Sequence, residues 1–135
     1  MTNRPSILVP IRVLEGEPIP EGVPSLLSHT HVVLLGYHVI PDQTAPGQAK
    51  MQFEEQARHR LEEYETIFEE AGATVERLLV FTHNGQKTIN RMIYEHDCRA
   101  VLVANATGPV EDVLVPVRGT VGIHRLAQVV AGVFG

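Results

Sequence analysis

The chain has 135 residues, enough for one domain with a single core and too few for two. Hydrophobic residues make up 44% of it and charged residues 20%, which excludes an intrinsically disordered chain. The formal net charge is −5, so the composition argues against binding to nucleic acid or to an anionic membrane.

The sequence also limits location and redox chemistry. No apolar run reaches the roughly 20 residues that cross a bilayer, and residues 1–6 lack the apolar segment of a secretion signal. We therefore expect a cytoplasmic protein without membrane insertion. Cys98 is the only cysteine, which excludes an internal disulfide and a cysteine-based zinc site within one chain, and we expect its thiol to be partly buried and inert.

Apolar segments predict the strands. Four strands are predicted, over residues 6–11, 31–40, 74–82 and 99–104. The first two are continuous apolar runs, as expected for strands covered on both faces. The third alternates more between apolar and polar residues and therefore belongs nearer a sheet edge. A fifth candidate strand covers residues 112–117. Only residues 105–111 separate the last two strands, so this reasoning leaves open whether the fifth runs parallel or returns as a hairpin.

Helical patterns lie between the strands. Residues 48–71 place an apolar stripe on one face and a run of glutamates on the other, and Gly72 is a natural stop. Residues 86–96 and 120–133 predict two further helices. Residues 13–24 are rich in proline and glycine, so the first crossover helix is mostly lost and only residues 25–28 remain for one turn.

Strands alternating with helices indicate an α/β fold, an open parallel sheet with helices on both faces, in a single domain over residues 1–135. Three segments, in order along the chain, then resemble the universal stress protein family. They are Ile7-Leu-Val-Pro-Ile11, Tyr37-His-Val-Ile-Pro41 and the passage from Glu95 to Val103. The resemblance covers residues 6–104, and it depends on their arrangement more than on any single motif.

The resemblance implies a Rossmann-like, five-stranded parallel sheet of order 3-2-1-4-5 and a homodimer formed through the last strand. Some members of the family bind ATP at the carboxyl ends of strands one and four, where open α/β sheets hold ligands, so the resemblance also raises the possibility of a nucleotide site there. The apolar segment from Asp112 to Phe134 suits a shared interface.

This sequence departs from the ATP-binding pattern of the family. Arg12 stands where binding members have an aspartate that faces the base. The glycine loop has Asn105 in place of its first glycine, and Gly108 and Gly119-Thr120 are spaced one residue too far apart. If a nucleotide binds nonetheless, the matching residues are Pro10, Ile11, Arg12, Val39, Asn105, Gly108, Gly119 and Thr120.

Structural roles are favoured for the other polar residues. Arg12 and Arg118 could form an anion site, but in the family's sheet order another strand lies between theirs, so we favour solvent-exposed ends of strands. Gly85-Gln-Lys-Thr88 lacks the spacing of a phosphate-binding loop, and Asn84 is better explained as a helix cap.

The histidines receive structural roles as well. His29 and His31 are two residues apart but no third metal ligand is evident, so we predict no metal site. His38 is expected to pack at the end of a strand. His96 falls near the end of its helix, where a structural role is favoured over a catalytic one.

These observations predict a non-enzymatic, universal-stress-protein-like regulatory or stress-response binding module without a cofactor. It would act as a homodimer through its C-terminal segment, with a protein partner. The alternative is an adenine-nucleotide (ATP or AMP) binding member of the family with at most slow hydrolysis.

Overall fold

The computed structural model describes residues 6–102 and 114–116. A 3-10 turn, Val13–Glu15, follows the first strand. The helices and strands are β1 (Ser6–Arg12), α1 (Val23–Leu26), β2 (His31–Val39), α2 (Pro46–Glu70), β3 (Thr74–Thr82), α3 (Gly85–Glu95), β4 (Cys98–Leu102) and β5 (Leu114–Pro116). Within these ranges the predicted helices and strands are confirmed to within two residues at most ends. The helix predicted over residues 120–133 lies outside the described residues.

The strands form one open sheet in the order β3-β2-β1-β4-β5. The first four strands are parallel, but β5 is antiparallel to β4, with Leu102 opposite Leu114. The expected parallel five-stranded sheet is therefore wrong in its last strand. The physical reason is length, because a parallel pair needs a crossover of a dozen or more residues and residues 103–113 are fewer than that.

Both faces of the sheet are covered by helices, as predicted. Side chains alternate along β1, so Ile7, Val9 and Ile11 pack towards α2 whereas Leu8 packs towards α3. The β3 strand lies at the edge of the sheet, which confirms the placement expected from its alternating pattern. The result is two apolar cores separated by a sheet whose central strands are buried on both sides.

The first crossover lacks a full helix, as the prolines and glycines predicted. Only α1, a single turn, forms between β1 and β2, two residues earlier than expected. Val13, Val23 and Leu27 from this segment are fully buried against the sheet. Each such side chain contributes about 1.5–3 kcal/mol on burial. Three aliphatic residues thus close the core where a crossover helix would otherwise do so.

The long helix α2 ends where the sequence predicted. Gly72 has a φ of +103°, its N–H donates to the carbonyl of Glu69, and the Ala73 N–H donates to the carbonyl of Phe68. This is a Schellman motif, in which the left-handed glycine satisfies carbonyls that the helix leaves open. Phe68 and Ala73 are both buried, which supplies the apolar contact that accompanies the motif.

The third crossover, through α3, confirms the expected helix cap and the burial of Cys98. The Asn84 side chain accepts a hydrogen bond from the Lys87 N–H at 3.0 Å, as expected of a helix cap. Burial raises the pKa of the Cys98 thiol to about 12, so the buried thiol is not nucleophilic. His96 Nδ1 lies 2.9 Å from Glu76 Oε2, a structural link between the end of α3 and β3.

No helix in residues 6–102 is both long enough and apolar enough to serve as a membrane span.

We expect Gly72→Ala to lower the free energy of unfolding by about 1–2 kcal/mol, because a Cβ is strained at this positive φ. Gly47→Ala is the matched control, since Gly47 lies in the first turn of α2 with open space around its Cα. That change should be neutral or stabilising by up to about 1 kcal/mol. Urea unfolding of both variants measures the difference, and equal stabilities would contradict the Schellman assignment.

Candidate functional site

A cavity of about 340 Å³ opens at the carboxyl ends of β1, β2 and β3. Its walls come from the residues that end each strand and from the first residues of α3. They are Arg12, Glu15, Tyr37, His38, Val39, His83, Asn84, Gly85 and Gln86. This edge of the sheet is where open α/β folds place ligands, which makes the cavity the candidate site.

The guanidinium of Arg12 lies at the centre of the interactions along one wall. Arg12 is paired with Tyr37 in the β1–β2 register, so both side chains project from the same face of the sheet. The Arg12 Nε donates to the Tyr37 hydroxyl at 3.4 Å, and a guanidinium nitrogen lies 3.7 Å from a Glu15 carboxylate oxygen. The contact with Tyr37 is the main cause that raises the pKa of Arg12, which keeps this side chain charged.

Tyr37 is buried between this cation and the start of α3. Burial raises the pKa of the Tyr37 hydroxyl, although the Arg12 guanidinium acts in the opposite direction. The phenol therefore stays neutral at physiological pH. A Cβ built on Gly85 would lie 3.0 Å from a ring carbon of Tyr37 and 3.3 Å from the Val39 side chain, so a larger residue would have to push these side chains away by a few tenths of an ångström.

Glu17 holds the crossover segment against the end of β1. Its carboxylate accepts a hydrogen bond from the Arg12 N–H at 3.2 Å, and its main-chain carbonyl accepts one from the Tyr64 hydroxyl of α2. Burial raises the pKa of the Glu17 carboxyl, with the Arg12 N–H and the Arg12 charge opposing that shift. We call Arg12, Glu15, Glu17, Tyr37 and Tyr64 the Arg12 junction.

The opposite wall is formed by the turn between β3 and α3. His83 Nε2 lies 2.7 Å from the Thr44 carbonyl, so this nitrogen carries the proton and donates it to that oxygen. The Thr88 hydroxyl donates to Thr82 Oγ1 at 2.9 Å and is buried beneath the turn. Gly85-Gln-Lys-Thr88 is thus the start of a capped helix, and Thr88, buried beneath it, does not line the cavity.

Of the four residues predicted for a nucleotide site that the structure describes, two line the cavity. Arg12 and Val39 line the cavity, and Val39 is 47% exposed there. Pro10 and Ile11 are buried within β1 and do not line it. Asn105, Gly108, Gly119 and Thr120 lie outside the described residues, as does Arg118.

Three histidines lie in or just before β2, and the structure confirms the role predicted for His38. The His38 ring makes edge contacts with Phe53 and Phe81, with centroids 5.4 and 6.2 Å apart, which confirms its packing role. His29 has a φ of +65° and is exposed just before β2, whereas His31 is its first residue. Among the described residues no cluster of histidine, cysteine, aspartate and glutamate could hold a metal ion.

Sequence reasoning missed the residues that surround Arg12. Tyr37 lies near the carboxyl end of the predicted strand 31–40 and His83 directly follows the strand 74–82, and this position was the available signal. Glu15 and Glu17 lie four and six residues beyond the first predicted strand and carried no such signal. The pairing of Arg12 with Tyr37 also needs the register between β1 and β2. That register depends on tertiary packing and cannot be obtained from local pattern.

Comparison of the chain with protein-family models, with curated proteins and with solved structures finds no match. The fold and the site define the class directly: an α/β domain with an open sheet of four parallel strands and a cavity of mixed polar and apolar lining at their carboxyl edge.

We expect Glu17→Gln to be more stable than the wild type at pH 7. The folded protein raises the pKa of Glu17 above its usual 4.5, so the fold disfavours the ionised form. As pH falls through the raised value the wild-type carboxyl takes up a proton and recovers stability, which the glutamine variant cannot do. Urea unfolding should therefore show that Glu17→Gln has the higher free energy of unfolding at pH 7 and that this difference from the wild type disappears at about pH 4.

Glu21→Gln is the control for this experiment, because Glu21 lies exposed on the same segment and its loss should change stability by less than about 0.5 kcal/mol. A Glu17→Gln variant that is less stable than the wild type at pH 7 would contradict the assignment of burial as the dominant cause.

Proposed function

We propose that this chain is a non-enzymatic, universal-stress-protein-like module that acts in regulation or stress response through protein contacts, as a homodimer and without ATP. The observation that carries the proposal is the position of Arg12. The residue that replaces the family's base-facing aspartate lies in the cavity wall, hydrogen-bonded to Tyr37 and beside Glu15. The four parallel strands in the order 3-2-1-4 support the resemblance at the level of the fold.

The electrostatics of the Arg12 junction disfavour a triphosphate. An isolated arginine would attract phosphate, but here the Glu15 carboxylate lies 3.7 Å from the guanidinium. The Glu17 carboxylate accepts a hydrogen bond from the Arg12 main-chain N–H and also acts electrostatically on the Arg12 side chain. A nucleotide would have to displace those contacts and bring several negative charges close to two carboxylates. Like charges at such distances repel, and the repulsion grows as water is excluded.

The size of the cavity supports the same conclusion. Its volume of about 340 Å³ lies near the lower end of the range of roughly 300–1,000 Å³ that ligand sites span. The part of the cavity that the described residues enclose suits a small polar molecule better than a nucleoside triphosphate, which needs space for a base, a sugar and three phosphates.

The lining residues also lack the arrangement of a catalytic centre. A general base needs a proton acceptor within reach of a substrate, and a nucleophile needs such a base beside it. His38 makes edge contacts with Phe53 and Phe81, and the described lining of the cavity contains no serine, threonine or cysteine that His83 could activate. Tyr37 remains protonated. These contacts support a binding function without turnover.

The second candidate function is binding of an adenine nucleotide with at most slow hydrolysis. One observation favours it: the cavity lies at the carboxyl edge of the strands, next to the amino terminus of α3, and Val39 provides an exposed apolar wall. Backbone N–H groups at the start of a helix favour anions.

Thermal unfolding with and without Mg-ATP or AMP separates the two functions. We expect the Tm to stay unchanged. A nucleotide at a hundredfold excess over its Kd would stabilise the fold by about 2.7 kcal/mol, which raises the Tm of a domain of this size by several degrees. A saturable rise of that size would overturn the proposal, and its loss in the cavity variant Val39→Glu would place the nucleotide in the cavity.

A further inference from the structure

The outer edge of β3 is a long strand edge with no pairing partner among the described residues. β3 has nine residues and pairs only with β2 in the part of the chain that the structure describes. Every residue of β3 is exposed or half-buried, whereas most residues of β1 and β2 are buried. Such an edge presents backbone donors and acceptors to any extended chain that approaches it.

The backbone groups that point outwards can be identified from the ladder with β2. The Thr74 N–H donates to the Thr30 carbonyl, and the Thr82 carbonyl accepts from the Ile40 N–H. The even-numbered residues of β3 therefore direct their backbone groups towards β2. Because these groups alternate along a strand, the odd-numbered residues direct theirs to the outer edge; these are Val75, Arg77, Leu79 and Phe81.

Several of the devices that normally keep such an edge from pairing are missing from β3. Its sequence contains no proline and no lysine, and its register with β2 runs without a bulge from Thr74 to Thr82. Its two charged side chains lie against the protein's own helices. Glu76 contacts His96, and Arg77 lies 3.4 Å from Glu62 and 3.3 Å from Glu65.

The geometry points to a second copy of this chain as the occupant, with two β3 strands paired antiparallel about a two-fold axis at Leu78. In this register each outward residue meets another outward residue, so Arg77 faces Leu79 and Val75 faces Phe81 of the other copy. Glu76 faces Val80, and no like charges meet. Centring the axis on Glu76 or on Arg77 instead would place identical charges opposite each other, which is unfavourable.

In the same dimer, the charges in the groove between α2 and β3 of one copy are complementary to those in the groove of the other copy. The cationic end of the groove carries Lys50 near Phe81, and Arg58 in the same groove is paired with Glu54. The other end carries Glu62 and Glu65 around Arg77. The two-fold axis brings Phe81 of one copy opposite Val75 of the other, so Lys50 approaches the acidic end of the second groove.

The pairing proposed here extends the sheet through β3 and closes it into a symmetric dimer.

Two variants of one position test this interface. Val80→Glu would place a carboxylate opposite Glu76 of the other copy at two symmetric positions, whereas Val80→Lys would place an ammonium there. Both changes remove the same half-buried valine from the monomer. We expect the wild type to show double its 14.9 kDa chain mass in sedimentation at micromolar concentration, and Val80→Glu to dimerise at least about tenfold more weakly than Val80→Lys.

A measurement on the wild type needs neither variant to fold. In the dimer, the amides of Val75, Arg77, Leu79 and Phe81 exchange slowly with solvent, and dilution into the monomer makes these four faster while their even-numbered neighbours stay protected. A monomer at all accessible concentrations would overturn the proposal. So would an oligomer in which these four amides exchange rapidly, or one that Val80→Glu and Val80→Lys affect equally.

Discussion

The Arg12 junction is the constraint on which both the fold and the site depend. β1 has to be joined to β2, its parallel neighbour, by a segment too rich in proline and glycine to form a helix. Glu17 attaches this segment at two points. Its carboxylate accepts a hydrogen bond from the Arg12 N–H, and its main-chain carbonyl accepts one from the Tyr64 hydroxyl of α2. The crossover is thereby fixed between the end of β1 and α2, and Val13, Val23 and Leu27 stay buried over the sheet.

The same junction determines what the carboxyl edge of the sheet can hold. Tyr37 and Arg12 face the same way because they are paired across β1 and β2, and Gly85 lets α3 begin against the Tyr37 ring. The described walls of the resulting cavity carry both polar and apolar groups, and the Arg12 guanidinium among them already lies beside the Glu15 carboxylate. The Arg12 junction, which holds the first crossover in place, is therefore poorly suited to binding phosphates. This connects the absence of a full crossover helix with the proposed absence of nucleotide binding.

Local pattern predicted the parts of this structure that local physics determines. The bounds of β3, the glycine that ends α2 and the cap of α3 follow from propensity, positive φ and capping chemistry. The direction of β5 was left open because a hairpin and a crossover share one apolar pattern, and only the length of the link separates them. The Arg12–Tyr37 and Glu17–Tyr64 contacts join residues 25 and 47 positions apart, and no local pattern specifies such pairs.

The most direct test observes the Arg12 side chain itself. In a ¹H–¹⁵N spectrum, the Arg12 Nε–Hε signal can be assigned by its loss in Arg12→Lys and followed while Mg-ATP is added. A guanidinium held by Tyr37 and flanked by carboxylates should give a signal that ATP leaves in place. A saturable shift of that signal, followed by the resonances of Val39 and Gly85, would show that nucleotide reaches the cavity and would contradict the account.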